Sequence, residues 1–567
     1  MIAMRNIILI IASVFLLASC DYLDTRPIQD LSSEELWSHS TYGEGLLTRA
    51  YTNLSRTWDV QSEYYTDNAV PNTPGANLLA LGGWTLEGNP IGEWDSWYTS
   101  IRYLNEFLEN GRDLLYSVTD PVKDATLKRY RIGEAYFLRA WYQWMLLRTY
   151  GGYVDGQTEA VGYPIVTSVL KKGDELNLPR NTYEECVSQI VLDLDSAASI
   201  LPNRYTGSDV YTGVMNVGRA SRFAAMTLKA KVYLWAASPA YGPSTPELWE
   251  RAAQAAYDAI FAQGGNTSLS SYGSSWYTSA SSSNFIWIYP ASNSNSLEYS
   301  YYPPSLYGSG LCNPSQNLVD AFPTADGYPK EVSTTYDPDA PYSGRDPRLA
   351  MNVFYNGMDY NSTIISTYVG GDDAPGGISR QGTRTGYYMR KLLASTVRLT
   401  PGNTTSVERV FVFLHKTDLY LMFAEAANEA YGPADATLGF SAYDIMRRVR
   451  GRSGTRIDSD PATSGYQDAY LDEQRDAGKD AFRTLIHNER RLEMAFEGDR
   501  FWTVRRLNMP LSHTVRGVQI LRDPDTGTFT YQYNDVEEHT FQPYMRYIPV
   551  PFHQTLIMSN LKQNSGW

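Results

Sequence analysis

Histidine, cysteine, basic charge and long apolar runs are all scarce in this 567-residue sequence. The six histidines are scattered and make no HExxH pair, and neither a GxSxG nucleophile elbow nor a GxxxxGK phosphate loop occurs. These gaps remove the commonest hydrolase and nucleotide-binding readings. Lysine and arginine number 48 against 62 aspartates and glutamates, a net charge of −14. So acidic a chain has no dense basic face with which to hold nucleic acid or another polyanion. Three cysteines, Cys20, Cys186 and Cys312, are too few and too far apart for a disulfide framework, so Cys186 and Cys312 are read as free thiols. The Asp-rich turn containing Asp337, Asp339 and Asp346 lacks EF-hand spacing and reads as solvated turn residues. Neither a metal nor a cofactor is expected.

One apolar run stands out, Ile7 to Leu17, well short of the roughly 20 residues that cross a bilayer. With Arg5 before it and Leu17-Ala18-Ser19-Cys20 after it, the run has the layout of a lipoprotein signal peptide. Residues 1–19 are then a leader, and acyl chains on Cys20 anchor the mature chain to a membrane. A buried N-terminal helix is the competing reading, but the polar stretch Asp21, Asp24, Arg26, Pro27 follows at once. Residues 20–567, with 43% hydrophobic content, form one large body with ample core that sits on the membrane rather than in it. Its aromatic load, 44 tyrosines and 13 tryptophans, exceeds what such a core requires. Some of these rings are expected to face a ligand.

Helical periodicity dominates the chain. Arg129–Gly151 places Ile132, Ala135, Leu138, Trp141 and Leu146 mostly at spacings of three and four, and Asn181–Pro202 opens on an Asn181 or Thr182 cap. Gly218–Ala237 and Glu247–Ala262 carry alanine at helical spacing, which lets paired helices pack closely; Thr417–Gly432 and Leu438–Gly454 form another such pair. The fold class read from this pattern is mainly α, with tetratricopeptide-like hairpins forming one scaffold, although no clean 34-residue period survives. A long irregular insert, about residues 264–408, interrupts it with Ser, Asn, Gly, aromatics and turn signals such as Asp337-Pro338, Asp346-Pro347 and Gly370-Gly371.

Several segments together resemble the SusD-like (SusD/RagB) family of outer-membrane lipoproteins from Bacteroidota. They are NERRLEMAFEGDRFWTVRR (Asn488–Arg506), RIGEAYFLRAWY (Arg131–Tyr142), DLYLMFAEAANEA (Asp418–Ala430), RDPRL (Arg345–Leu349), TGYYMRK (Thr385–Lys391) and the terminal Tyr547–Trp567. The resemblance implies a non-catalytic protein on the outer face of the outer membrane. Such a protein binds oligo- or polysaccharide and passes it to a SusC-like TonB-dependent transporter. The acidic stretch after Cys20 that would direct surface export is interrupted by Tyr22 and Leu23. A helical-repeat scaffold or peptide-capturing lipoprotein is the alternative reading. In Asn488–Arg506, Glu489, Glu493 and Glu497 recur every four residues on one helix face, with Arg490, Arg491 and Arg500 within reach. Paired carboxylates can serve a glycosidase, but interleaved arginines keep them ionised, which suits a structural ion network instead.

Sugar rings offer apolar C–H faces and vicinal hydroxyls, so a site for them needs flat aromatics beside short polar groups. Two regions supply both. The first is Asp67 and Asn68, after Tyr64-Tyr65, with Gly82-Gly83-Trp84 and nearby Asn89. The second is the insert, with Trp276, Trp287, Tyr299, Tyr301 and Tyr302, joined by Arg380 and Arg384 in SRQGTRTG. Competing readings stay open at this level: Trp84 as a core residue, Trp287 as part of a half-buried strand, and the arginines as solvated. Trp94 and Trp97 are assigned to packing.

Overall fold

The structure, a computed structural model, describes residues 37, 40–265, 269–273, 277–278, 282–452, 454–458 and 466–567. Cys20 and Trp276 lie outside them. The first half is a run of helices: α1 (Ser40–Thr52), α2 (Trp94–Asn110), α3 (Pro121–Tyr150), α4 (Tyr183–Ile200), α5 (Arg222–Ala237) and α6 (Pro246–Ala262), each packed on the next. Local chemistry sets their ends. Asp120 caps α3 through Lys123 N at 2.9 Å, with Pro121 in its first turn, and Gly151 closes it. The helix therefore starts eight residues before the predicted Arg129, because its first turns face solvent and carry no apolar stripe. Thr182 and Glu185 form a capping box on α4. Ala252, Ala253, Ala256 and Ala259 are buried on α6, as close helix contact requires.

The insert is hung from a two-stranded antiparallel ribbon. After β1 (Ala69–Pro71), which precedes the insert, come β2 (Phe285–Ser294), β3 (Cys312–Pro314), β4 (Val353–Phe354), β5 (Asp359–Tyr360), β6 (Thr363–Ile364), β7 (Tyr388–Met389) and β8 (Val407–His415). Among the described residues the α-helices of the insert are the short α7 (Ser296–Tyr301), α8 (Gln316–Ala321) and α9 (Pro347–Asn352). Pairing of β2 with β8, from Phe285–His415 to Ser294–Val407, brings the ends of the excursion together. As a result α6 packs on α10 (Lys416–Tyr431) although the insert separates them in sequence. The insert has its own apolar core, including Phe322, Phe354, Tyr388 and Leu392. The helices resume with α11 (Ala442–Gly451), α12 (Ala469–Ala477), α13 (Lys479–Glu493) and α14 (Asp499–Arg506). A hairpin of β9 (His513–Arg522) and β10 (Phe529–His539) and a short α15 (Phe552–Ile557) complete the chain. Arg180 ties the C-terminus down, donating to Gly162 O at 2.8 Å and Asn564 Oδ1 at 2.9 Å.

Among the described residues no helix is long and apolar enough to cross a membrane. Cys186 and Cys312 are buried free thiols. The Asp-rich turn divides: Asp337 and Asp339 are exposed, whereas Asp346 is buried, caps α9 and binds Arg348. Reading Asp346 as solvated is therefore corrected; the following Pro-Arg starts a helix whose arginine needs a buried counter-charge.

Candidate ligand-binding site

The segment Asn488–Arg506 builds the frame beneath the site. Glu489 accepts from Arg348 Nη1 at 2.8 Å and pairs with Arg450, and Glu493 accepts from Arg348 Nη1 at 2.7 Å and pairs with Arg452. Burial alone would raise the Glu489 pKa, but attraction to Arg348 and Arg450 overrides it and lowers it to about 2. Such a group cannot act as a general acid near neutral pH. Glu497 is not on the helix face with the other two, because α13 ends at Glu493 and Phe496 takes a left-handed φ of 63°. It joins the network from the turn, binding Lys391 Nζ at 2.6 Å and Tyr277 Oη at 2.7 Å. Gly498, at φ 78°, caps α14 against Asp59, where a Cβ would meet Asp59 Cβ at 2.9 Å.

Several residues expected to face ligand are committed to this frame. Asp67 receives both arms of Arg500 at 2.9 Å, and the opposing burial and charge leave its carboxyl well below the usual range. Asn68 is fully buried, donating to Glu63 Oε2 and accepting from Arg491 Nε, each at 2.7 Å. Trp84 is 3% exposed, edge-on to the C-terminal Trp567 at 5.0 Å, with its indole N–H donated to Asn89 Oδ1. Trp287 is 2% exposed, stacked on Phe413 at 4.2 Å, and donates to Gly218 O at 2.9 Å. Tyr302 is 1% exposed with its hydroxyl on Ala394 O. These rings pack the protein, so the platform reading of Trp84, Trp287 and Tyr302 is corrected, as is the use of Asp67 and Asn68 as free polar groups. Arg384 is likewise held, by Glu537 at 2.8 Å and Pro71 O at 3.1 Å.

Of the remaining expected residues, Tyr299 and Tyr301 share the short helix α7. Pairing of β1 with β3 lays the 64–77 loop beside the end of α7. There Tyr64 Oη donates to Leu311 O at 3.2 Å and Asn72 Nδ2 to Ser309 O at 2.9 Å. The segment after α7 folds back through Ser309 N to Tyr299 O and Leu311 N to Ser300 O, at 2.8 and 2.9 Å. The result is a shelf bearing Tyr299, 46% exposed, half-buried Tyr301, and Tyr307, 55% exposed. Tyr307 is the residue sequence reasoning passed over. It sits at φ 65°, a left-handed position strained for a non-glycine, and strain of this kind gathers at functional sites. Its signal was its frame, Pro303-Pro304 before and Gly308 after. Asp373 anchors the shelf by accepting from Ser305 N and Oγ at 2.9 Å. Arg380 is exposed, with no hydrogen bond or ion pair among the described residues.

Behind the Asp59–Tyr65 turn opens a cleft of about 440 Å³. Its walls come from α3, β8, α14 and residues 53–65, and its aromatics form a ladder. Trp58 lies 4.8 Å from Phe411, Phe411 4.9 Å from Phe413, and Phe413 5.4 Å from Trp141. Arg148 lies over Trp502 at 4.4 Å; burial pulls its pKa down to about 10. Nothing in the sequence marked this cleft, since Arg148 reads as an ordinary basic residue ending a helix.

A scaffold of helical hairpins with a loop-built insert presenting open aromatic rings is the class these features define. The chain belongs to the SusD family. The SusD family profile matches residues 258–567, and a second profile, described as starch-binding associating with outer membrane, matches residues 21–234. A SusD-like protein of Formosa agariphila is 22% identical over 531 residues, 88% of this chain and 90% of that one. Two solved Bacteroides fragilis structures share the fold. One is a SusD-like protein, 22% identical, covering 96% of this chain and all of that one with a TM-score of 0.72. The other, a SusD-like carbohydrate-binding protein, is 20% identical and covers 93% and 100% with a TM-score of 0.70.

Proposed function

We propose that this protein is a non-catalytic glycan-binding subunit, anchored to the outer membrane through lipid on Cys20 and facing outward, that hands oligo- or polysaccharide to a SusC-like TonB-dependent transporter. The observation that carries the reading is the shelf, where Tyr299 and Tyr307 stay open to solvent while the other described rings of the insert are buried or half-buried. Flat rings with phenolic edges suit the C–H faces and hydroxyls of sugars, and exposed Arg380 lies in the loop that follows Asp373, the shelf's anchor. Family membership supports a carbohydrate ligand, and the profile description supports outer-membrane association. An anchor already confines the protein to a surface, so modest affinity suffices when many copies engage one polymer.

Tyr299→Ala and Tyr307→Ala should each weaken glycan affinity about five- to tenfold, roughly 1 kcal/mol per ring, with unchanged melting behaviour. Affinity electrophoresis across a glycan panel, followed by calorimetry on the best ligand, measures this; equal retention of both variants and the parent removes the shelf from binding. Cys20→Ser should move the protein from the membrane to the soluble fraction, and persistence in the membrane pellet would refute the anchor. Detergent pull-down through the native protein should recover a β-barrel transporter; repeated recovery of none would refute the delivery role.

A further inference from the structure

The cleft has a donor fork, Arg148, and an open carboxylate, Asp59, in its lining, neither in an ion pair among the described residues. Arg148 makes no hydrogen bond or ion pair among the described residues, and its Nε is buried without a partner. The Asp59 carboxylate accepts from Ser62 N at 3.2 Å and forms no ion pair among the described residues. Three other carboxylates of the cleft are neutralised, Asp418 by Lys231 and Arg490, Asp499 by Arg490 and Glu497 by Lys391, while exposed Glu93 also lines it. Arg148 and Asp59 attract one another without a hydrogen bond or ion pair between them. A planar donor fork opposite an acceptor, flanked by the rings of Trp58 and Trp141, matches a ring carrying adjacent hydroxyls. A ligand carboxylate fits less well, because it would meet the Asp59 charge.

Resting on the glycan reading above, we propose that this cleft is a second saccharide subsite, which takes one or two neutral sugar rings from the end of a chain while the shelf carries its interior. The volume of about 440 Å³ lies in the range of small-molecule sites and excludes a long polymer. Arg148 holds a vicinal diol in two hydrogen bonds, Asp59 accepts from a hydroxyl on the far side, and Trp58 covers a C–H face.

The test uses the full mature protein and a panel of glucose, galactose, mannose, fructose, maltose, cellobiose and laminaribiose, with glucuronate and galacturonate as charged probes. Binding is read by tryptophan fluorescence, since Trp58, Trp141 and Trp502 line the cleft, and checked by calorimetry. At least one neutral sugar should bind saturably, and at least tenfold more weakly to Arg148→Met and to Trp58→Ala. Arg148→Lys keeps the charge but not the fork and should also lose at least tenfold; its melting curve shows that folding is intact. No neutral sugar binding, binding that ignores the cleft variants, or tighter binding of the uronates would each overturn the proposal. Failure of the glycan reading itself looks different: the shelf variants then leave polysaccharide retention unchanged as well.

Discussion

Glu489→Gln is expected to lower the folding stability of this protein by about 3–5 kcal/mol, the range for removing one charge from a buried ion cluster. Glu489 is 1% exposed and is shared between Arg348 and Arg450, both themselves buried. A neutral amide keeps the shape but leaves the two guanidinium groups short of one counter-charge in a place water does not reach. Arg348 would retain Asp346 and Glu493, and Arg450 would retain Asp468, so the expected outcome is a weakened fold, not an unfolded chain. The same group sets the acid response. Its folded pKa, about 2, lies below the ordinary 4.5, so between these values the unfolded chain binds more protons than the folded one. Its contribution is therefore fully present above about pH 4.5 and is lost as pH falls through about 2. Glu497, also lowered to about 2 by Lys391 and His415 against the effect of burial, acts in the same window. Urea titrations from pH 6 to pH 2 should show a falling midpoint below about pH 4.5, with a shallower fall in Glu489→Gln. A variant within 1 kcal/mol of the parent at pH 7 would contradict the network's structural role.

Trp84→Ala should destabilise the protein by about 3–5 kcal/mol, as large-to-small changes at buried aromatics do, while leaving glycan affinity of the folded fraction unchanged. The indole is wedged between Trp567 at 5.0 Å and Phe541 at 6.4 Å, with the Arg505 guanidinium 5.7 Å from the ring. Removing it opens a cavity and strips Asn89 Oδ1 of an indole donor. It also loosens the C-terminal segment, which Trp567 Nε1 otherwise pins to Tyr547 O at 2.7 Å. Chemical denaturation gives the stability change, and calorimetry at a temperature where the variant is folded gives the affinity. A variant of parental stability with much weaker glycan binding would restore Trp84 as a ligand platform.

The two predictions differ in how far they were legible beforehand. The ion network could be read from Asn488–Arg506, because glutamates four residues apart on a helix fall on one face whatever lies around them. Even there the third member escaped the pattern, since a left-handed Phe496 ends the helix before Glu497. The arginine partners from RDPRL and from α11 were not assignable, as they arrive from distant parts of the chain. Trp84 went the other way: a tryptophan after two glycines looks like a loop platform until Trp567 is found against it.

By itself the sequence determined the mainly helical character, the bodies of α3 to α6 and α10, and the charge pattern of the frame, because each follows from contacts within a few residues. Which aromatic rings stay open was decided only by tertiary structure. Trp287 and Tyr302 are covered and Tyr299 and Tyr307 are not, although all four lie within one short stretch of similar composition. Exposure depends on what the rest of the fold brings over a ring, here α3 and β8 over Trp287 and Phe354 and Tyr360 over Tyr302, and those approaches are long-range. The cleft is the extreme case: Asp59 and Arg148 line it together although they are far apart in the sequence.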